Sequence, residues 1–358
     1  MSIFRNIADD LEFFDWLFGR IDPLEAKLTS EDMYWGAMLC CLEMIKTGTT
    51  CFVDMNMDME AVMRAVSDSG LRAVLSRGLV GQGNNEGGQI RLLENLGAFE
   101  ENKNENITFL LGPHAPYTCD KEYLKIVTNT AKEKGLGITI HLSESLTEIE
   151  NVKKEHGCSP IELMAECGVF DVPTIAAHCV HLSDNDISIL KKYNVTVATN
   201  PKSNLKLANG IAPLEKLHKA SVNITIGTDS VASNNSLNMF SEINYTALLH
   251  KGTTKNPTVM SASDCLAFAT KNAKSATGLK IGEIKEGNLA DLTILDIDCV
   301  QFYPTNNLVS ALVYSANGSE VDTVIVGGKI LMENKQIKTI DEEKVYCECE
   351  KIIERIDR

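Results

Sequence analysis

Four short polar motifs carry residue types that can hold a metal ion or move protons. They centre on His114, on His141 with Glu144 three residues later, on His178, and on Asp229. Each motif follows an apolar run that predicts a β-strand, so in a parallel barrel the side chains would meet at one end. Imidazole nitrogens and carboxylate oxygens are zinc ligands, and a carboxylate beside an activated water can serve as general acid and base. The pattern therefore indicates a metal-dependent hydrolytic site.

A blander interpretation exists for each histidine taken alone, because a histidine that ends a buried strand is often a satisfied core residue. Three histidines at strand ends, together with an aspartate, are harder to explain in that way. His178 and His181 have the i, i+3 spacing of a helical metal clip, but His181 is expected in the loop beyond the strand. The remaining histidines lie in polar helical stretches and are expected at the surface: His156, His218 and His250.

The elements that must position these residues alternate along the chain between about residues 25 and 280. Seven apolar or β-branched runs predict strands at 49–54, 71–77, 107–112, 137–141, 174–178, 195–199 and 222–227. Amphipathic stretches between them predict helices, which indicates a parallel sheet buried on both faces. A (β/α)₈ barrel needs eight strands, whereas a doubly wound sheet uses about six or seven. No GxGxxG motif follows the first strand, which weakens a dinucleotide-binding interpretation.

The end of the chain has a different character. Residues 283–296 predict a turn followed by a strand, and residues 321–331 predict a hairpin with Gly327 and Gly328 at its turn. The last stretch is charged and amphipathic. We therefore predict a barrel domain over residues 1–282, a β-sandwich remnant over 283–340 and a C-terminal helix over 341–358.

Composition excludes several classes of function. The 358 residues include 34 Lys and Arg against 49 Asp and Glu, a net charge of −15. Nucleic-acid and anionic-membrane partners both need a concentrated positive surface, so neither is expected. No apolar run approaches the roughly 18–20 residues that span a bilayer. The eleven cysteines form no CxxC pair, which predicts reduced thiols and a cytoplasmic protein.

Ten sequence segments, in order, resemble the amidohydrolase superfamily, and within it the 5-methylthioadenosine/S-adenosylhomocysteine deaminases. They are ADDL (8–11), WL (16–17), GTTCFVDM (48–55), RGL (77–79), GPHAPY (112–117), HLSE (141–144), AHCVH (177–181), NPKSNLKL (200–207), GTDSVASNN (227–235) and GNLADL (287–292). The resemblance covers nearly the whole chain. It implies a (β/α)₈ TIM barrel of the metal-dependent hydrolase type with a small β-sandwich appendage, and hydrolytic deamination of an adenine nucleoside.

The resemblance also implies catalytic roles. His141 and Asp229 would bind one divalent metal ion, with zinc as the default and iron as the alternative. Asp229 would help take a proton from water, and His178 would orient that water. Glu144 would give a proton to a purine ring nitrogen, so Glu144 and Asp229 would both touch the substrate.

On the substrate side, Glu25 resembles the family's ribose-hydroxyl ligand, His114 a contact near the ribose, and Arg77 a substrate-side arginine. A second family arginine corresponds to either Gln89 or Arg91, and the local spacing leaves that choice open. The expected partner is a small-molecule nucleoside, and a homo-oligomer is one option for the assembly.

One part of the family pattern is not found here. The family's first barrel strand ends in a His-x-His pair that supplies two metal ligands, whereas the seven histidines of this sequence include no such pair. We expect that strand and half of the appendage to be missing before Met1. A site with half of its protein ligands should bind zinc weakly, so little deaminase turnover is expected from the chain as written.

Two alternatives stay open. The substrate could be another amino-heterocycle, such as guanine, cytosine or a triazine, although Glu25, His114 and Arg77 favour a ribose-bearing ligand. The chain could also be a non-catalytic remnant that binds a nucleoside without converting it.

Overall fold

The computed structural model describes residues 2–356 and contains a curled sheet of seven parallel strands. These strands are β1 (Cys51–Asn56), β2 (Arg72–Leu79), β3 (Ile107–Pro113), β4 (Gly137–Leu142), β5 (Thr174–His178), β6 (Thr196–Thr199) and β7 (Asn223–Ile226). Each lies within two residues of its predicted position. The seven predicted strands are therefore confirmed.

The order of the strands identifies the type of sheet. Each strand pairs with the next one along the chain, from β1 to β7, with no reversal. A doubly wound sheet changes direction at a switch point, so that alternative is wrong, and the barrel class is confirmed. Within residues 2–356 this sheet has one strand fewer than an eight-stranded barrel.

Helices connect the strands and surround the sheet. They are α1 (Asp22–Glu25), α2 (Ser30–Lys46), α3 (Met59–Ser69), α4 (Glu86–Glu101), α5 (Lys121–Lys134), α6 (Leu146–His156), α7 (Pro160–Glu166), α8 (Asp184–Lys192), α9 (Pro201–Lys206), α10 (Leu214–Lys219), α11 (Val231–Asn234), α12 (Met239–Thr254), α13 (Ala262–Phe268), α14 (Ala273–Thr277), α15 (Leu308–Tyr314) and α16 (Glu342–Ile356). Many begin at a side-chain cap, as α5 does at Asp120, and end at a left-handed glycine, as α5 does at Gly135. Within residues 2–356, no helix combines the length and apolarity that crossing a bilayer requires.

Two large apolar clusters hold the molecule together. The first joins strand and helix residues of the barrel, including Leu75, Leu111, Ile138, Ile140 and Val197. The second lies where α2 meets the appendage and α16, and includes Leu42, Ile45, Val324, Leu331 and Ile352. Full burial of one such side chain is worth about 1.5–3 kcal/mol. The second cluster therefore fastens the appendage and the last helix to the barrel.

The appendage is an antiparallel sheet of β8 (Leu292–Leu295), β9 (Val321–Val326), β10 (Lys329–Glu333) and β11 (Gln336–Ile337). The predicted hairpin is present, with Gly327 and Gly328 at positive φ in its turn. A buried ion pair between Asp291 and Arg72, at 2.7 Å, ties this sheet to the start of β2. Helix α15, which lies between β8 and β9 in the chain, packs against α12 and α13.

The predicted C-terminal helix is observed as α16, and residues 357 and 358 lie outside the described residues. The division into domains at 282 and 340 stays a prediction.

The surface position predicted for His250 is wrong. Its side chain is buried, because α12 packs against α9, α13, α15 and β7 rather than lying on the surface. Burial lowers the pKa of His250 to about 4. The negative charge of Glu215 raises this pKa by a smaller amount, and the positive charge of Lys251 lowers it further. By contrast, His218 is exposed, as predicted.

This burial predicts a loss of stability in acid. In the unfolded chain His250 has an ordinary pKa near 6.5, above its folded value of about 4. The unfolded state therefore binds more protons between these values, and the stabilisation present above pH ~6.5 is lost as pH falls toward ~4, by at most about 3 kcal/mol. Urea unfolding across this range should show a shallower pH dependence for His250→Gln than for wild type. The exposed control His218→Gln should keep the wild-type slope, and equal slopes for all three proteins would contradict the assignment.

Candidate active site

The polar residues predicted to converge lie together at the carboxyl end of the parallel sheet. His114 follows β3, His141 lies near the end of β4, and His178 ends β5. The ring centroids of His114 and His141 are 4.9 Å apart, and those of His141 and His178 are 5.5 Å apart. Asp229 follows β7, the last strand in the sheet, and its carboxylate lies within 4.8 Å of ligand atoms of His178 and Glu144.

The backbone turns sharply where these strands end. Ser143, His178 and Asp229 have φ values of 53°, 71° and 59°, in the left-handed region that non-glycine residues rarely adopt. Each such residue costs of the order of 1–3 kcal/mol and persists only where other contacts hold it. Here the Ser143 carbonyl accepts hydrogen bonds from the N–H groups of Val180 and His181, which joins the ends of β4 and β5.

Hydrogen bonds determine the tautomers of two histidines. His141 Nδ1 lies 2.7 Å from the carbonyl oxygen of His114, and His178 Nδ1 lies 2.8 Å from Asn204 Oδ1. Both partners are acceptors, so each Nδ1 donates. The amide nitrogen of Asn200 also lies near His178 Nδ1, but at the longer distance of 3.4 Å. In a neutral imidazole of this tautomer, Nε2 carries the lone pair through which histidine binds a metal ion.

Asp229 is held as a carboxylate. Its Oδ2 accepts hydrogen bonds from Ser203 Oγ at 2.6 Å and Ser233 Oγ at 2.8 Å, and its Oδ1 accepts one from the Ser230 N–H at 2.6 Å. Burial by itself would raise the pKa of Asp229, but His178, His141 and these hydrogen bonds outweigh it and lower the pKa. Asp229 is thus the negative partner of the cluster.

Glu144 has the opposite character. Its side chain is buried, and Asn209 Nδ2 donates to its Oε1 at 3.0 Å. Burial, reinforced by the charge of Asp229 and opposed by His141, raises the pKa of Glu144 to about 8. A carboxyl group with this pKa holds a proton at neutral pH and can give it to a bound molecule.

Glu144, His178 and Asp229 can each place a ligand atom within 4.8 Å of the others. Two carboxyl groups this close need a proton or a cation between them. Carboxylate oxygens and imidazole nitrogens are donors that suit zinc. The residues present therefore fit a divalent metal ion. His141 lies outside this trio, although its ring borders that of His178.

The three residues predicted to contact the substrate, Glu25, Arg77 and His114, differ in their contacts. Glu25 ends α1, and burial raises its pKa, with Arg77 opposing that effect. Arg77 Nε donates to Glu94 Oε2 at 2.8 Å. His114 Nδ1 contacts Thr118 Oγ1 at 3.0 Å, and burial, with repulsion from His141, lowers the pKa of His114 to about 3.

The two candidates for the second arginine role lie on α4. Arg91 Nη1 donates to the carbonyl oxygens of Gly87 at 2.9 Å and Val80 at 3.4 Å. Gln89 Nε2 is buried and has no hydrogen-bond partner among residues 2–356. The choice between Gln89 and Arg91 stays open.

One segment that received no role from the sequence supports the whole cluster. After β6 the chain supplies Ser203 to Asp229, Asn204 to His178 and Asn209 to Glu144. The first two belong to the NPKSNLKL motif, and its position at a strand end was the available signal. Glu148 was also missed: its two carboxylate oxygens accept the N–H groups of Ser143 and Glu144, both at 2.8 Å.

The chain is similar in sequence to proteins that are named as adenine-nucleoside deaminases. The chain is 46% identical over 356 residues to the 5-methylthioadenosine/S-adenosylhomocysteine deaminase of Thermoanaerobacter pseudethanolicus, covering 98% of this chain and 83% of that protein. It is 47% identical to the 5'-deoxyadenosine deaminase of Methanocaldococcus jannaschii, with 99% and 85% coverage.

Solved structures share the fold. A zinc-bound adenosine deaminase from Xanthomonas campestris superimposes with a TM-score of 0.95 at 28% identity, covering 99% of this chain and 82% of that one. The zinc complex of atrazine chlorohydrolase from Arthrobacter aurescens superimposes with a TM-score of 0.91 at 21% identity. The match covers 98% of this chain and 85% of that one, and at this identity it shows a shared fold only. The Amidohydrolase family profile matches residues 1–331. With this match and relatives above 40% identity over nearly its full length, the chain belongs to the amidohydrolase family.

Proposed function

We propose that this protein hydrolytically deaminates an adenine nucleoside of the 5'-deoxy or 5-methylthio type. The observation that carries the proposal is the trio in which Glu144, with a pKa raised to about 8, lies beside His178 and beside Asp229, whose pKa is lowered. Relatives at 46–47% identity that carry deaminase names support the substrate class.

The reaction replaces the amino group of the purine with oxygen from water and releases ammonia. Glu144 gives its proton to the ring nitrogen beside the reacting carbon, which makes that carbon more electrophilic. Asp229 accepts one proton from the attacking water and passes it to the departing amine, and the second water proton returns to Glu144 as the ring carbonyl forms. His178, fixed by Asn204, orients the water. Glu25, His114 and Arg77 bind the ribose side of the nucleoside.

A divalent metal ion, most simply zinc, would be held by His141 and Asp229, with His178 beside them. Such an ion supplies Lewis-acid activation of water, lowering its pKa toward about 7. Oxygen and imidazole donors of this kind also bind iron, so metal analysis must distinguish the two ions.

The metal assignment predicts that Asp229→Asn weakens zinc binding strongly. The loss should exceed the roughly 10–100-fold typical of removing an outer-shell partner, because a charged ligand becomes a neutral amide. Affinity can be measured by competition with a chromophoric chelator. The control is Asp186→Asn, a buried carboxylate on α8 held by Ser183 and Ser159. Equal affinity in both variants would reject Asp229 as a ligand.

Replacing the proton donor tests the chemistry. Glu144→Gln keeps the shape and an acceptor for Asn209 but cannot deliver the proton, so kcat should fall by about 10²–10⁴-fold with little change in KM. Conversion of adenine to hypoxanthine absorbance, with ammonia release, measures the rate. The exposed control Glu150→Gln should match wild type, and a Glu144→Gln variant with undiminished kcat would refute this role.

Glu25 separates a nucleoside substrate from a free base. Glu25→Ala should raise KM for 5'-deoxyadenosine by at least about 10-fold, the cost of losing hydrogen bonds to a charged group, and leave adenine unaffected. Asp22→Ala, an exposed carboxylate in the same helix, is the control. Equal losses for nucleoside and base would favour the alternative of another amino-heterocycle.

The non-catalytic alternative predicts a different outcome. Calorimetric binding of 5'-deoxyadenosine to the zinc-loaded protein without ammonia release would favour a nucleoside-binding role. We further propose a cytoplasmic location, supported by eleven free cysteines.

A further inference from the structure

Glu242 is a fully buried carboxylate on α12 that accepts hydrogen bonds from two separate chain segments. Asn234 Nδ2 donates to its Oε1 at 2.7 Å, and the Lys202 N–H donates to its Oε2 at 3.2 Å. Burying a carboxylate is costly, so its presence needs a reason beyond packing. The two donors identify that reason, because each belongs to a segment that carries the active site.

The first segment is the loop after β7 that carries Asp229. The amide nitrogen of Asn234 that contacts Glu242 also donates to the carbonyl oxygen of Thr228 at 2.6 Å, and Thr228 directly precedes Asp229. Ser233, beside Asn234, donates to Asp229 Oδ2. Glu242 therefore fixes this loop through Asn234.

The second segment is the first turn of α9. Lys202 is followed directly by Ser203, which donates to Asp229, and by Asn204, which accepts the proton of His178 Nδ1. A shift of this turn would move both contacts together. Glu242 holds its backbone from the side of α12.

We propose that Glu242 is a positioning residue that sets the geometry of Asp229 and the tautomer of His178 by joining these two segments. The proposal rests on the proposed function, because it assigns Glu242 to that same site. A carboxylate suits the task since both of its oxygens accept. A glutamine in its place has one acceptor and would turn an NH₂ group toward one of the two donors.

The test compares Glu242→Gln with Asp291→Asn. Asp291, directly before β8, is also a buried carboxylate that accepts from several donors, namely Arg72 and the Gly327 N–H. Its partner Arg72 begins β2, at the end of the parallel sheet opposite the site. Both variants should lower the free energy of unfolding measured in urea. If Glu242 is a positioning residue, only Glu242→Gln should also change the His178 tautomer and the zinc affinity.

Two readouts report on the site without turnover. Long-range proton–nitrogen correlation spectra of ¹⁵N-histidine protein give the tautomer of His178, assigned by its absence in His178→Gln. Zinc affinity is measured by chelator competition. Glu242→Gln should reduce the Nδ1–H tautomer and weaken zinc binding by about 10–100-fold. Asp291→Asn should match wild type in both.

A second variant covers the case in which Glu242→Gln does not fold. Asn234→Ala removes the arm to the Asp229 loop and keeps the Lys202 arm, so it should weaken zinc binding and leave the His178 tautomer unchanged. A folded Glu242→Gln with wild-type tautomer and zinc affinity overturns the proposal, as does an Asn234→Ala protein with undiminished affinity. Neither readout needs catalysis, so the test holds even at the low turnover expected without a His-x-His pair. A wild type that neither binds nor deaminates 5'-deoxyadenosine would refute the proposed function alone.

Discussion

The structure depends on the placement of two carboxyl groups and an imidazole within 4.8 Å of one another at the carboxyl end of the sheet. Two full negative charges at this spacing, away from water, would repel strongly. The protein resolves the conflict by treating the two groups differently. Asp229 receives three hydrogen bonds and stays ionised, whereas Glu144 receives one from Asn209 and retains its proton. The difference in surroundings shifts the pKa values of two similar side chains in opposite directions.

The seven-stranded sheet explains how such a site can be assembled. Neighbouring parallel strands end at the same edge, so residues far apart in the chain meet there. Left-handed residues at the ends of β4 and β5 and after β7 turn the backbone at that edge. The segment after β6 contributes hydrogen bonds to all three members of the trio. The cluster is therefore built from several strand ends, and its supporting contacts come from their neighbours.

The opposite end of the molecule serves stability. The Arg72–Asp291 ion pair and the apolar cluster under α2 join the appendage, α16 and the barrel into one packed body. A buried ion pair of this kind contributes little net stability when intact, but breaking it leaves an uncompensated charge. The contacts that stabilise the fold therefore lie at the starts of the strands, whereas the polar residues with left-handed backbone lie at the strand ends.

Apolar periodicity and position at a strand end are local properties, so the strands and the side chains that end them could be predicted from the amino-acid sequence. His114, His141, Glu144, His178 and Asp229 could be selected on that basis. The burial of His250 and the hydrogen-bond partners Asn204, Asn209 and Glu148 became visible only in the fold. Those features depend on which segments pack against each other. A hydrogen bond between residues distant in the chain leaves no periodic signal, since it exists only once the sheet has brought its ends together.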